Sequence, residues 1–501
     1  MHRGSLTLAG AVLLLAVTAL NGCSGDTGTP ESIVHRRPNL VYIVVDDLDQ
    51  TSTPMWAALP QTKKLIADRG MTFQNNFATD PVCCPARATL LTGMYPHNTN
   101  VYESSVGLAA FKAGAAKKTV GVRLKAAGYT TAFMGKYLNG YELDPSYVPP
   151  GWDEWFGLAG KRFLTGFNYE ANHNGTIEKY GHRAADYQTD VIARKAREFV
   201  ASATQEKDHA PFLLTLFPSA PHAPLGPAPR DKDNEYKDDP LPPRKNYDEK
   251  DVSDKPIWLR EGFPPLSAID KKNQVTEYRR RLGSLLAVDD MVGSLETQLR
   301  KSGDLDNTVF VFTSDNGYSF GSHRIPGKEA PYDELARVPL AIAGPGIKHG
   351  TVDQLTAHID MAPTLYDLAG VPIPSDVDGR SLLPLFQGRD PAWRKDFLIE
   401  YRLSPKLQLH TYADVQHYVT MPGKKRRLVP DYRAVHSENS LYVEWYQGTQ
   451  HDYELYDERK DPYQMNNLMA DPTYAFTHAK TISALHDRLA ALAACTGASC
   501  R

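Results

Sequence analysis

Six polar side chains stand just past apolar runs in this chain: Asp46 and Asp47 after "NLVYIVV" (39–45), Lys136 after "YTTAFM" (129–134), His222 after "PFLLTLF" (211–217), and Asp315 with Asn316 after "NTVFVFT" (307–313). If these runs are neighbouring parallel strands, their carboxyl ends meet at one crevice, where open α/β sheets bind ligands. Three carboxylates crowded together repel unless a cation or protons compensate, and an oxygen-rich set favours a hard ion such as calcium or magnesium. Each part also has a plainer use: "DDLD" could cap a helix, and "SDNG" is good turn chemistry. Repeated placement at strand ends shifts the balance toward a divalent-metal site.

The second reactive feature is "PVCCPARATLLTG" (81–93). Pro85 suits the first position of a helix and Gly93 its end, so "PARATLLT" predicts a short helix whose N-terminal dipole faces Cys83 and Cys84. That environment favours negative charge, and Arg87, one turn in, adds a fixed positive charge against an anion. Three readings of the pair stay open: a vicinal disulfide, two small buried residues, or a thiolate nucleophile, although a thiolate prefers softer metals. The other cysteines are Cys23, Cys495 and Cys500. In an oxidising compartment, "ACTGASC" places Cys495 and Cys500 to close a small disulfide loop.

The elements that must position these residues read as an α/β domain. With 501 residues the chain can bury a large core, and its 56 basic and 59 acidic residues nearly cancel, so no nucleic-acid partner is expected. From Pro38 onward apolar runs, including "VPLAIAG" (338–344), alternate with helical patterns at 61–70, 117–128, 181–202, 275–301 and 360–370, which predicts a largely parallel sheet flanked by helices. The Pro-, Lys- and Asp-rich stretch 225–266 follows His222 and reads as a solvated loop or an active-site lid. After 393, "DFLIEYR", "YRAVHSE", "SLYVEWY" and "YELYD", then a helix over 473–494, predict a small antiparallel α+β subdomain. "GKKRR" (423–427) reads as an exposed charged turn or a contact for an anionic polymer.

The N-terminus carries Met1-His2-Arg3, an apolar run from Leu6 to Leu20, and Leu20-Asn21-Gly22-Cys23, the layout of a secretory signal ending in a lipoprotein-type box. Residues 1–22 are then a signal peptide, 23–37 a tether beginning at a lipidated Cys23, 38–390 a catalytic domain and 391–501 the C-terminal subdomain. An ordinary signal peptide cut nearby is the alternative. Either way an exported, bacterial-type protein is expected, a cell-surface lipoprotein or a secreted one. The apolar run is short for a spanning helix, so membrane contact would come only through the lipid.

Cys83-Cys84-Pro85-Ala86-Arg87, continued by Leu90-Leu91-Thr92-Gly93, resembles the sulfatase signature Cys-x-Pro-Ser/Ala-Arg with its Leu-Thr-Gly ending. "GKYLNGY", "PPGWDEWFG", "SAPHAP", "TSDNGY", "GKEAPYDELARVPLAIAGPG" and "ELYDERKDPYQMNNL" resemble sulfatase segments in the family's order. The resemblance implies the alkaline-phosphatase-like fold. It also implies oxidation of Cys83 to Cα-formylglycine by a formylglycine-generating enzyme, and one calcium ion on Asp46, Asp47, modified Cys83, Asp315 and Asn316. Arg87 would hold the aldehyde hydrate, and Lys136, His222 and Lys328 would contact the sulfate or protonate the leaving oxygen. In the implied mechanism the hydrate attacks sulfur, the alcohol leaves, and expulsion of sulfate restores the aldehyde.

Many arylsulfatases have a histidine where this chain has Leu138, so the base for that expulsion is in question, with His323 in "GSHRIPGK" as the candidate. "CCPAR" and "GKYLN" look most like the N-acetylglucosamine-6-sulfatase branch, which acts on glycosaminoglycan sulfate. A broad-specificity arylsulfatase for aryl sulfate substrates, a phosphate or phosphonate monoester hydrolase of the same superfamily, and a non-catalytic lipoprotein that binds sulfated polymers are the alternatives.

Overall fold

Strand β1 (Asn39–Val45) is buried along its whole length, and the reason is its place in the middle of a sheet covered on both faces. The structure, a computed structural model, describes residues 36–50, 55–104, 107–386, 388, 392–403, 428–447 and 450–501. The expected signal peptide, Cys23, nearly all of the tether, "GKKRR" and the boundary at 390 lie outside the described residues. Residues 37–501 form one compact unit.

The large sheet contains ten of the described strands. After β1 these are β2 (Met71–Phe73), β3 (Thr130–Gly135), β4 (Glu154–Ala159), β5 (Glu170–His173), β6 (Thr176–Lys179), β7 (Phe212–Phe217), β8 (Thr308–Ser314), β9 (Leu340–Ala343) and β10 (Gly350–Val352). Their order is β10-β2-β9-β8-β1-β7-β3-β4-β5-β6. The central block β8-β1-β7-β3-β4 is parallel. Strand β9 runs antiparallel to β8, and β5 and β6 extend the other side as antiparallel strands. "VPLAIAG" is therefore a strand, as expected, but points the opposite way from the block that carries the polar residues.

Alternation along β1 divides the core. Val41, Ile43 and Val45 join one cluster with helices α3 (Gln188–Ala203) and α4 (Ala268–Ser302). Leu40, Tyr42 and Val44 join a second with α1 (Cys83–Thr92), α2 (Val120–Ala126) and α5 (Met361–Leu368). Helix α4 starts seven residues before the expected 275 because Ser267 and Asp270 form a capping box, with Ser267 Oγ accepting from Asp270 N at 3.2 Å and Asp270 Oδ2 accepting from Ser267 N at 3.0 Å. The stretch expected at 61–70 is a short helix, Pro60–Thr62, that continues over Lys63–Ala67 with wider turns.

A four-stranded antiparallel sheet follows, β11 (Asp396–Tyr401), β12 (Asp431–Ser437), β13 (Ser440–Gln447) and β14 (Gln450–Asp457) in that order, with helix α6 (Ala479–Ala493) packed on it. The helix expected over 473–494 is divided at His478, between Pro472–Thr477 and α6. Cys495 and Cys500 are joined by a disulfide.

The 225–266 stretch is built into this part of the molecule. Trp258, Leu259 and Phe263 are buried in a third core with Tyr432 and Trp445, and the Trp258 and Trp445 rings lie 4.8 Å apart. A polar composition had hidden "IWLREGF" (257–263), whose apolar residues anchor the stretch to the C-terminal sheet.

Candidate metal and catalytic centre

Register brings the strand-end residues together. Val45 pairs with Ser314, and Asp315 N donates to Val45 O at 3.0 Å, so Asp46 and Asp315 leave adjacent strands side by side. Gly135 pairs with Phe217, and Lys136 N donates to Phe217 O at 2.7 Å. Gly135 has φ 123°, and a Cβ there would meet the Phe217 carbonyl oxygen at 2.1 Å, so only glycine allows this close exit. Asp47 is a non-glycine residue at φ 66°, a conformation held because Asp315 Oδ1 accepts its N–H at 3.0 Å and Arg281 donates to its carbonyl at 3.1 Å.

Helix α1 begins at Cys83, two residues earlier than the proline suggested. Val82 is the N-cap, and Ala86 N already donates to Val82 O at 3.0 Å. Pro85 is the third helical residue, still within the turn whose N–H groups have no helical acceptor. Neighbouring helix positions diverge, which separates the cysteines. Both thiols are free, so the vicinal disulfide is excluded. Cys84 enters the core, against Gly107. Cys83 faces the carboxylates, its Sγ 3.3 Å from Asp46 Oδ1 and 3.9 Å from Asp47 Oδ1.

Cations answer those carboxylates. Lys136 Nζ lies 2.6 Å from Asp46 Oδ2; Lys328 Nζ lies 2.5 Å from Asp47 Oδ1 and 2.7 Å from Cys83 Sγ. Arg87, fully buried, donates through Nε to Asp315 Oδ2 at 2.8 Å and through Nη1 to Lys136 O at 2.6 Å, and its Nη2 is 3.3 Å from Asp46 Oδ2. His222 Nε2 is 3.6 Å from Asp47 Oδ2, while Nδ1 contacts Ala223 O. The structure thus brings Asp46, Asp47, Cys83, Arg87, Lys136, Asp315 and Asn316, all buried, into one network with the partly exposed His222 and Lys328.

His323 is not brought there. Its ring is buried, with Nδ1 2.6 Å from Glu249 Oε2 and Nε2 3.1 Å from Asn246 Nδ2, so both nitrogens are engaged by the 225–266 stretch. Leu138 lies in the apolar core.

Arg281 belongs to the network but was missed from sequence. It is buried on α4, 3.4 Å from Asp47 Oδ2 and 2.8 Å from Glu277 Oε1, with its guanidinium carbon 3.8 Å from the Tyr318 ring centroid. A signal existed: Tyr278, Arg281, Leu282, Leu285 and Val288 share the buried stripe of the helix, and an arginine on such a stripe requires an anionic partner.

Burial and charge set the protonation states. Burial, then the Asp46 charge, pushes the Cys83 thiol up to about 12, so the cysteine itself is a protonated, poor nucleophile. Burial, reinforced by Asp46, raises Asp315 to about 6. Burial also opposes ionisation of Asp46, but Lys136, His222, Arg87 and Lys328 outweigh it and hold that carboxyl well below its usual range. Lys136 and Lys328 are raised despite burial, chiefly by Asp46 and Asp47 respectively. Burial pushes His222 down to about 4, leaving it neutral near pH 7.

The donor set fits a hard divalent cation. Ligand atoms of Asp46, Asp47, Cys83 and His222 lie within 4.8 Å of one another. Asn316 donates through Nδ2 to Asp47 Oδ1 at 2.6 Å, which leaves its buried Oδ1 with no hydrogen-bond partner. A buried acceptor oxygen beside carboxylates is what a calcium-type ligand shell uses. The network opens into a cavity of about 330 Å³ lined by Asp47, His222, Arg281, Lys328 and Glu329, among others. The 225–266 stretch contributes Phe263 to its wall.

A family model described as Sulfatase matches residues 38–371, and one described as N-sulphoglucosamine sulphohydrolase, C-terminal, matches 321–494. The chain is 32% identical to human N-acetylglucosamine-6-sulfatase, covering 100% of this chain and 92% of that one. It is 36% identical to the extracellular sulfatase SULF-1 homologue of Drosophila melanogaster over 80% of this chain, but spans only 37% of that protein's length. Among solved structures, one in complex with its substrate D-glucosamine-2-N,6-O-disulfate superposes with a TM-score of 0.72 at 24% identity, covering 90% of this chain and 97% of the other. At that identity the likeness speaks for the fold.

Proposed function

Since the chain belongs to the sulfatase family of sulfuric ester hydrolases, we propose that it is a calcium-dependent, formylglycine-type enzyme that removes the 6-sulfate of N-acetylglucosamine units in sulfated carbohydrates. The observation that carries this reading is Cys83 itself, buried in the first turn of α1 between the Asp46 carboxylate and the Lys328 ammonium, where a thiol is chemically idle. Asp46, Asp47, residue 83, Asp315 and Asn316 would hold the calcium, and the unmet Asn316 Oδ1 supports that set. When bound, the ion would supply positive charge beside the reacting oxygens, and formylglycine at 83 would supply a geminal-diol oxygen in place of the thiol.

The remaining roles belong to the chain's own side chains. Lys136 and Lys328 stay protonated and neutralise the sulfuryl oxygens as charge builds on them. Arg87, fixed by Asp315 and Lys136 O, orients residue 83. Lys328, 2.7 Å from the residue-83 sulfur, sits beside the attacking atom, where its charge lowers the cost of deprotonating the geminal diol. His222 is neutral, and with Nδ1–H donating to Ala223 O its Nε2 presents a lone pair to the network, where it accepts a proton. His323 has no free ring nitrogen and takes no part in expelling sulfate.

The matched relative named as extracellular, together with the N-terminal signal pattern, supports export, as a surface lipoprotein or a secreted enzyme, after maturation by a formylglycine-generating enzyme. Sulfate release from defined substrates tests the proposal. N-acetylglucosamine 6-sulfate should be turned over faster than the matched 6-phosphate and faster than its 3-sulfate isomer. A preference for the phosphate would replace this reading with a phosphate or phosphonate monoester hydrolase.

A further inference from the structure

The cavity wall carries one residue in a conformation its type does not favour. Glu329, next to Lys328, has φ 90°, a left-handed backbone that costs a non-glycine residue roughly 1–3 kcal/mol and persists only where the surroundings impose it. Three contacts impose it here. Its N–H donates to Pro81 O at 3.2 Å, its carbonyl accepts from Tyr432 Oη at 2.8 Å, and its carboxylate is hydrogen-bonded by Tyr401. Pro81 leads into the helix bearing Cys83, whereas Tyr401 and Tyr432 belong to the C-terminal sheet. The backbone of Glu329 is thus fixed from two sides while the residue lines the cavity, and a carboxylate with one tyrosine partner retains acceptor sites.

Charge is distributed unevenly in that cavity. Lys328 and Arg281 contact Asp47, where the sulfate group would be held, and the other carboxylates of the lining are Glu277 and Glu329. Glu277 is already taken by Arg281, through Nε at 3.0 Å and Nη2 at 2.8 Å. Glu329 is the carboxylate left to meet the rest of a substrate.

We propose that Glu329 is a specificity-determining residue: its carboxylate accepts a hydrogen bond from a hydroxyl or amide N–H of the sugar bearing the sulfate ester, and repels substrates with a second sulfate on that sugar. The inference rests on the sugar-sulfatase reading above and adds the chemistry of the neighbouring ring positions. Burial raises the Glu329 carboxyl, so a donor from the substrate replaces solvation that the cavity withholds.

The test compares the mature wild type with Glu329→Gln and Glu329→Gly on N-acetylglucosamine 6-sulfate, glucosamine-2-N,6-O-disulfate and 4-nitrophenyl sulfate. Glutamine keeps the shape and removes the charge; glycine relieves the backbone. In both variants kcat/KM for the monosulfated sugar should fall roughly tenfold relative to the aryl sulfate, mainly through KM, the size expected for one hydrogen bond to a charged group. The ratio of disulfated to monosulfated turnover should rise, and Glu329→Gly should melt no lower than wild type. Parallel loss on all three substrates, or unchanged ratios, would overturn the proposal, as would a glycine variant that is less stable with its selectivity intact. Wild-type enzyme that cleaves only the aryl sulfate would instead refute the sugar-sulfatase reading itself.

Discussion

Among the described residues two clusters bring histidine and carboxylates within ligand distance, and one of them has the makings of a metal site. Asp46, Asp47, Cys83 and His222 form the first; Asp333, His436 and Glu458 form the second, beside a separate cavity of about 500 Å³. In the second, the side chains bond one another. Asp333 Oδ1 is 3.1 Å from His436 Nε2 and 3.2 Å from Gln464 Nε2, its Oδ2 is 3.5 Å from Arg337, and Gln464 Nε2 also donates to Glu458 Oε1 at 2.8 Å. The unpartnered Nδ1 of His436 is on a ring packed against Phe77 and Phe397, with centroids 4.3 and 5.4 Å away. The first cluster instead has a buried oxygen without a donor, on Asn316, and a strained aspartate. Four cations, Arg87, Lys136, Arg281 and Lys328, also converge there on Asp46, Asp47 and Asp315, with Glu277 pairing Arg281 from outside. Ligand-type residues in proximity are therefore common to both, whereas an unmet carboxamide oxygen and a convergence of four cations are not.

The contrast can be broken most directly at Cys83. Cys83→Ala should lower sulfate release by at least about three orders of magnitude, since it removes the nucleophile, with a melting temperature close to wild type; appreciable turnover would dissolve the distinction between the clusters. Next, Asp315→Asn should abolish calcium binding in calorimetric titration and cut turnover at least about a hundredfold. Asp333→Asn should keep one calcium per chain and turnover within about threefold, while destabilising the fold by about 3 kcal/mol as a broken buried pair.

A third comparison uses the metal. Chelation should lower both the melting temperature and activity, and excess zinc added to calcium-loaded protein should leave one bound ion per chain by mass spectrometry. A second ion lost on Glu458→Gln would promote the second cluster to a site.

The smallest expected effect is a pH dependence. Burial opposes charging of His436, but Asp333 outweighs it and, with Glu458 adding and Arg337 opposing, raises the imidazole above its ordinary 6.5. Its stabilisation is then fully present below 6.5 and lost as the pH rises through the raised folded value. The melting difference between wild type and His436→Gln should accordingly be largest near pH 5.5 and shrink toward pH 9; a difference that grows with pH would mean that neutral His436 is the stabilising form.

Much of the first cluster was legible because its carriers obey a strong local rule. Continuous apolar runs announce covered strands, and Asp46, Lys136, His222 and Asp315 follow them within a few residues. Arg281 and Glu329 were not legible, since their roles depend on long-range packing: one from the middle of a 35-residue helix, the other on a backbone held by Pro81 and Tyr432. His323 sits in a promising segment, but only the folded 225–266 stretch reveals Glu249 and Asn246 at its nitrogens. The same stretch read as a solvated loop or a lid, and its anchoring was hidden because composition averages over seven apolar-rich residues that decide its packing. The direction of β9 was hidden too, because a buried strand reads the same in either orientation.

Under the proposed maturation, the divergence of Cys83 and Cys84 in α1 provides a built-in gauge of conversion. Cys495 and Cys500 are tied to each other, and a Cβ at Gly107 would reach within 2.0 Å of the Cys84 sulfur, so Cys84 is sealed by tight packing. The proposed conversion at residue 83 would consume one thiol and leave its neighbour untouched. Titrated in denaturant without reductant, the segment beyond residue 37 should then expose two thiols per chain when unconverted and one when fully converted. A fractional count reports the active proportion of a preparation before any substrate has been chosen.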